Sequence, residues 1–359
     1  MSADCSPTQP INNKCIFVFI VIYLYISPVE SGTKLPNDIP RSNHSMHIYF
    51  EVTNMCNLKC EYCYNDSGSV KHSELQLEQF FSIIDDMTDR LSLSSITFSG
   101  GEPLLKRDIF HMLNYCKYKG IKVYLITNGT LIDERVYHYL QLVDHITVSL
   151  HKDYQCNIDF NTLKKLRSNT ALKFSVVLNK MNYTALDEYC KFATSMRIPI
   201  SFNLQKAMGR GQNEKLLSGF EIELAESILQ HYSKSPFVRT HRLIDTNFSS
   251  CCYFSCDFDE YTMLPNGDIY LCQILPRIYK VGNALEKSWK NNVATAKSEL
   301  YRNWLKYKNR ICGACYLSEV CRGICPGEII DDEIKCLQCE ARCKQYLYKS
   351  TGIQPVIFQ

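Results

Sequence analysis

The run Cys56-Asn-Leu-Lys-Cys60-Glu-Tyr-Cys63 places three thiols four and then three residues apart, just past an apolar segment. Thiolates suit iron–sulfur clusters, and three of them can occupy three corners of a cube-shaped one. The fourth iron is then left without a protein ligand. An open iron is a place where chemistry can happen, whereas a fully ligated one relays electrons. A second set is Ser99-Gly100-Gly101-Glu102-Pro103. Alone, Gly-Gly-Glu-Pro is a turn signal; after a strand and one repeat beyond the cysteines, its glycines would also let backbone approach a ligand closely and its carboxylate could accept a charge-assisted hydrogen bond. A third set is the C-terminal series Cys312, Cys315, Cys321 and Cys325.

Composition sets the bounds. The chain has 359 residues, 45% apolar and 21% charged, with room for two or three domains. A net charge of +3 gives no reason to invoke nucleic acid, and the basic cluster 306–310 reads as solvated surface. Cysteine is the outlier at 19. An odd count, clustering at 56–63, 251–272 and 312–343, and repeated Cys-x-x-Cys pairs favour metal over disulfides. Oxygen-sensitive clusters in turn imply a reducing, cytoplasmic setting. The apolar stretch 15–26 is shorter than the ~18 residues of a membrane span, and no small-residue cleavage site follows it. Its β-branched and aromatic content predicts a buried strand, with a signal or anchor segment as the alternative.

The three cysteines need a frame, and periodicity supplies one. Candidate strands are 47–53, 94–98, 121–127, 145–150, 172–178 and 198–204, and the last five start 24 to 27 residues apart. That interval fits one strand plus one return helix, so the pattern predicts an α/β fold with a parallel sheet and helices outside. The sheet is a partial (β/α)6 TIM-like barrel. Ser73 to Gln76 reads as a capping box for a helix carrying Leu77, Phe80, Phe81, Ile84, Met87 and Leu91. Further helices are expected at 107–119, ending on Gly120, at 131–143, 183–196 and 218–234. Cys116 and Cys190 sit on apolar helix faces and read as core residues. Loops after parallel strands share one rim. The cysteine triad, Ser99 to Pro103, Thr127 to Thr130, Ser149 to His151 and Asn203 to Gln205 should therefore converge there.

Together these residues resemble the radical S-adenosylmethionine (radical SAM) superfamily, over roughly residues 46–210. The resemblance implies that Cys56, Cys60 and Cys63 bind a 4Fe–4S cluster whose fourth iron is chelated by SAM. It further implies reductive cleavage of SAM to methionine and a 5′-deoxyadenosyl radical that abstracts hydrogen from substrate. Gly100, Gly101 and Glu102 would grip the methionine end. Tyr62 would contact adenine, a core tyrosine being the other reading, and Ser149 would contact the ribose. A zinc site would want a fourth ligand near the triad, and none is evident. The chain departs from many peptide-acting relatives, which have Ser-x-Asp-Gly where this one has Ser149-Leu-His151-Lys152. An arginine often found a dozen residues on is Asn161 here. Arg210, between Gly209 and Gly211, either substitutes for it or is an exposed turn arginine. His151 either faces substrate or is a structural histidine.

The C-terminal part resembles the cysteine-rich SPASM extension of peptide-modifying radical SAM enzymes. Its pattern is met by Cys256, Gly267, Cys272, Cys312, Cys315, Cys321, Cys325 and Cys343. The resemblance implies two auxiliary 4Fe–4S clusters in a mostly irregular domain. One would be held by Cys312, Cys315, Cys321 and Cys343, with Cys339 or Cys336 competing for the last place. The other would be held by Cys256, Cys272, Cys325 and Cys251, with Cys252 competing. A zinc ribbon is the alternative for the Cys-x-x-Cys pairs. The domains are then an N-terminal segment with a strand (1–45), the radical SAM core (46–215), a bridging helix and linker (216–249), the SPASM domain (250–349) and a tail (350–359).

The expected activity is SAM-dependent radical modification of a ribosomally made peptide or protein, of which side-chain crosslinking is one form. The expected partners are a peptide or protein substrate, an electron donor such as flavodoxin or ferredoxin, and a separate leader-peptide recognition protein. Neither nucleic acid nor membrane is expected. One alternative is formylglycine formation in sulfatases, whose enzymes carry an aspartate base where Gln273 stands. Another is a non-catalytic iron–sulfur electron carrier, which would have no use for Gly101 and Glu102.

Overall fold

The computed structural model describes residues 45–69, 73–151, 157–206, 208–211, 215–239, 259–273 and 279–312. Six parallel strands alternate with helices over its first part. They are β1 (Met46–Thr53), β2 (Leu93–Gly100), β3 (Lys122–Thr127), β4 (His145–Ser149), β5 (Ala171–Leu178) and β6 (Ile200–Leu204). Return helices are α1 (Leu77–Leu91), α2 (Ile109–Tyr118), α3 (Tyr137–Leu140), α4 (Phe160–Leu166) and α5 (Leu186–Met196), followed by α6 (Gly219–His231). Each strand lies within two residues of its expected place. The sheet is a partial, barrel-like one.

Strand alternation sorts the side chains. On β1, Ile48, Phe50 and Val52 are buried on the helix side, where the Phe50 ring stacks on Phe80 at 5.6 Å. Burying each such side chain contributes roughly 1.5–3 kcal/mol, so this outer face holds the fold together. The opposite face is polar. His47 reaches Ser95 at 2.7 Å and Thr97 at 3.1 Å, and the Tyr49 hydroxyl donates to Ser99 at 2.7 Å. Polar groups removed from water need such partners.

Three expectations are corrected. Helix α1 is capped by Gln76 with Gln79, not from Ser73. The cause is tertiary: Glu74 accepts from Thr53 and Lys106, and the Leu75 amide donates to Pro265, holding these residues outside the helix. The helix expected at 131–143 shrinks to α3, because Asp133 turns its carboxylate onto the Arg135 amide and competes with helical bonding. The helix expected at 183–196 begins as a 3-10 turn, Tyr183–Ala185. Gly120 ends α2 with φ +76°, and Cys116 and Cys190 are fully buried.

Residues 259–312 are more regular than the irregular domain expected there. Strands β7 (Glu260–Met263), β8 (Asp268–Tyr270) and β9 (Lys280–Asn283) extend the same sheet. Its order is β6-β5-β4-β3-β2-β1-β7-β8-β9, with β7 parallel to β1 and β8 and β9 antiparallel. Gly267, at φ +85°, makes the β7–β8 turn. Trp289 is fully buried edge-on against Tyr261 and begins a 3-10 turn that leads into helix α7 (Val293–Cys312). Among the described residues no helix is long and apolar enough to cross a membrane. The stretch 15–26 and most C-terminal cysteines lie outside the described residues.

Candidate active site

β1 ends at Thr53, and the chain then runs through the three cysteines. Backbone bonds sew this loop to the one after β2. The Gly101 amide donates to the Thr53 carbonyl and the Glu102 amide to that of Met55, both at 2.8 Å. A Cβ at Gly101 would overlap the Met55 carbonyl oxygen, so glycine is needed for this close approach.

The three thiols are free and half-buried. The Leu58 amide points at the Cys56 sulfur and the Ser67 amide at the Cys63 sulfur, both at 3.4 Å. Burial raises the Cys56 thiol pKa. Burial, then the neighbouring Cys63 and Cys56, push Cys60 up to about 11. Thiols that hinder one another's ionisation become thiolates when a cationic centre binds among them. Among the described residues, no three His, Cys, Asp or Glu side chains are gathered tightly enough for a single metal ion. A cubane differs, since each thiolate sits on a separate iron and the sulfurs stand further apart. Three neighbouring thiols, two of them with backbone amides aimed at their sulfurs, fit the thiolate set of a cluster.

Glu102 is fully buried. Its oxygens accept from the Thr127 hydroxyl and the Asn128 amide at 2.7 Å, and from the Leu104 amide at 3.1 Å. Burial outweighs these bonds and pushes its pKa up to about 7. Three of its four lone-pair positions are thus occupied by the protein, and these bonds join two rim loops. Asn128 continues the chain of contacts, donating to Asn57 at 2.9 Å, while Asn57 donates to Thr130 at 2.8 Å. Asn128 belongs to the Thr127 to Thr130 rim segment expected from the sequence, whereas Asn57 is not singled out there.

The Tyr62 ring lies 5.3 Å from that of His151, at 35°. Ser149 ends β4, half-buried and in register with Ser175. The structure thus brings Tyr62 together with the β4 rim that carries Ser149. Arg210 is no exposed turn residue; its side chain is 21% exposed and its guanidinium bonds to the triad loop. Asn161 lies on α4, where its amide is capped by Asp159.

Cys272 follows β8 and is half-buried. Burial raises the Tyr49 hydroxyl pKa to about 12. Cys312 is the last residue of α7, while Cys251, Cys252, Cys256, Cys315, Cys321, Cys325, Cys336, Cys339 and Cys343 lie outside the described residues. A cavity of about 400 Å³ opens beside the triad loop, lined among others by Glu51, Tyr64, Gly209, Leu264, Tyr270 and Gln273.

Residues 50–171 match the Radical SAM superfamily. The chain is 24% identical over 314 residues to mycofactocin maturase MftC of Mycobacterium tuberculosis (strain CDC 1551 / Oshkosh), covering 77% of each chain. It is 33% identical over 120 residues to Fe-coproporphyrin III synthase of Methanosarcina barkeri (strain Fusaro / DSM 804), covering 33% of this chain and 30% of that one. Its fold is similar to that of Streptococcus suis SuiB bound to S-adenosylmethionine, with TM-score 0.59, 18% identity, and 80% and 76% of the two chains covered. It is also similar to anSMEcpe with bound AdoMet and the Kp18Cys peptide, with TM-score 0.62, 16% identity, and 86% and 100% covered.

Proposed function

We propose that this enzyme cleaves S-adenosylmethionine reductively at Cys56, Cys60 and Cys63 and uses the resulting radical to modify a peptide or protein. The observation that carries this reading is the backbone stitching of the triad loop to Gly101 and Glu102. It sets three cluster-type thiols beside a glycine-lined approach for a small ligand. A 4Fe–4S cluster with SAM on its open iron would supply one-electron cleavage of the sulfonium. The protein's share is positional: Gly100 and Gly101 admit the methionine end, Glu102 fixes the rim, Tyr62 faces adenine and Ser149 the ribose. The cavity beside the triad loop offers room for a substrate side chain.

The peptide substrate rests on relatives of that kind, a maturase and a structure holding a peptide. Auxiliary clusters, one at Cys312, Cys315, Cys321 and Cys343 and one at Cys251, Cys256, Cys272 and Cys325, would return the substrate's electron. A flavodoxin or ferredoxin would supply the first electron, and a separate protein would present the leader, in the cytoplasm. The domain bounds 46–215 and 250–349 remain part of this proposal. The formylglycine reading is disfavoured because the Gln273 amide, which lines the cavity, cannot take a proton as a carboxylate does.

The test uses the anaerobically purified full chain with SAM, reductant and a precursor peptide encoded beside its gene. A SAM-dependent loss of a hydrogen pair from the peptide supports the reading. Steady SAM cleavage with every neighbouring precursor unaltered would overturn the peptide assignment while leaving the radical chemistry intact.

A further inference from the structure

β6 and β1 are far apart in the sheet, with four strands between them. The loop after β6 nevertheless reaches the loop after β1. The Arg210 amide donates to the Cys63 carbonyl at 2.9 Å, and its Nε donates to the Cys60 carbonyl at 2.9 Å. Its Nη1 donates to Asp66 at 2.6 Å and to the Ser67 carbonyl at 2.7 Å. Gly209 holds φ +58°, and a Cβ there would overlap the carbonyl oxygens of Cys63 and Tyr64. A Cβ on Gly211 would overlap the Lys206 carbonyl. Both glycines are thus needed to bring the arginine in at contact distance. Lys215, further along the same segment, pairs with Glu61, and its carbonyl accepts from the Lys180 amide after β5.

From this geometry we infer that Arg210 is a positioning residue for the cysteine triad, a latch across the mouth of the partial barrel that also sets a fixed positive charge beside the thiolates. The guanidinium fork suits the task, because its N–H groups diverge in one plane and can serve two carbonyls and a carboxylate together. Carbonyls of Cys60 and Cys63 turned onto Arg210 fix the backbone from which both thiols project. A set of thiolates gains negative charge on reduction of a bound cluster, and a neighbouring cation favours that state. Arg210 therefore raises the reduction potential and holds the loop ready before any cluster arrives. The charge effect rests on the cluster reading proposed above; the latch does not.

The experiment compares full-length wild type with Arg210→Ala, Arg210→Lys and Arg210→Gln. Amide hydrogen exchange is first measured on the cluster-free chain. Arg210→Ala is expected to speed exchange over residues 60–68 by about tenfold or more, with exchange in β2–β4 unchanged to show intact folding. The midpoint potential of the SAM-responsive EPR signal is then measured after anaerobic reconstitution. It is expected to fall in Arg210→Ala and Arg210→Gln and to return toward wild type in Arg210→Lys, which keeps the charge but loses the fork. Wild-type exchange over 60–68 in Arg210→Ala would overturn the latch. Wild-type potential in Arg210→Gln would overturn the charge effect. A wild-type chain with no SAM-responsive signal would count against the radical reading instead, and the exchange result would still decide the latch.

Discussion

The Glu102 carboxylate accepts the Thr127 hydroxyl at 2.7 Å while it is wholly shut off from solvent, so the loops after β2 and β3 are fastened to each other. Removing that carboxylate would strand the Thr127 hydroxyl and two backbone amides. Glu102→Ala is expected to destabilise the chain by on the order of 3 kcal/mol or more, read from urea unfolding. Loss below about 1 kcal/mol would mean that water reaches these groups.

The same residue makes stability depend on pH. Burial raises its folded pKa from 4.5 to about 7, so the folded chain binds a proton the unfolded chain releases. The stabilisation is fully present below 4.5 and is lost as pH rises through 7, a difference of about 3 kcal/mol. Glu102→Gln does not titrate, so the stability difference between wild type and this variant should shift in favour of wild type on going from pH 8 to 5. A difference that stays flat over that range would contradict the assignment.

His47 works in the opposite direction. Burial lowers its pKa from 6.5 to about 4, so its folded form stays neutral while the unfolded chain protonates. The stability it contributes is present above 6.5 and is lost as pH falls through 4. His47→Gln can keep partners on Ser95 and Thr97, and should remove most of the acid sensitivity between pH 6.5 and 4. Unfolding midpoints taken at both ends of that range decide it, and parallel curves for the two proteins would be the adverse result.

Gly101→Ala would press a methyl group into the Met55 carbonyl. The expected cost is about 1–3 kcal/mol in unfolding free energy. Iron retained after reconstitution should also fall, because the displaced segment leads into Cys56. Full iron content with normal stability would show that the two loops part easily.

Much of this architecture is legible in the sequence. The strands of residues 46–204 are runs of β-branched and aromatic residues at a steady interval, and Gly100-Gly101 marks a close approach that sequence displays directly. Tertiary events were less legible. Glu74 and Leu75 look like the start of a helix, and only Lys106, Thr53 and Pro265 explain why they are not. Strands β8 and β9 are three and four residues long, too short for alternation to announce them. Arg210 is ambiguous in sequence because its partners, mostly backbone carbonyls, lie some 150 residues earlier, and carbonyls carry no sequence signal. The polar inner face could have been found, since His47, Tyr49, Glu51 and Thr53 alternate with Ile48, Phe50 and Val52.

Cysteine replacements should separate two kinds of damage. Cys60→Ala is expected to abolish SAM cleavage, since a cluster held by two thiolates lacks its place at the rim. Cys315→Ala should spare some SAM cleavage while blocking peptide product. Both are read by chromatography of 5′-deoxyadenosine and mass spectrometry of the peptide, in variants shown to be folded by circular dichroism. Equal and complete loss of SAM cleavage in both would contradict that division of labour.

The central claim is that Cys56, Cys60 and Cys63 support one-electron cleavage of a sulfonium. It is tested most directly by quantifying 5′-deoxyadenosine from the anaerobically reconstituted full chain, reduced with dithionite, with and without SAM. The account predicts 5′-deoxyadenosine and methionine only when SAM, reductant and the intact triad are all present. Absence of 5′-deoxyadenosine from iron-loaded, reduced, folded protein would contradict it.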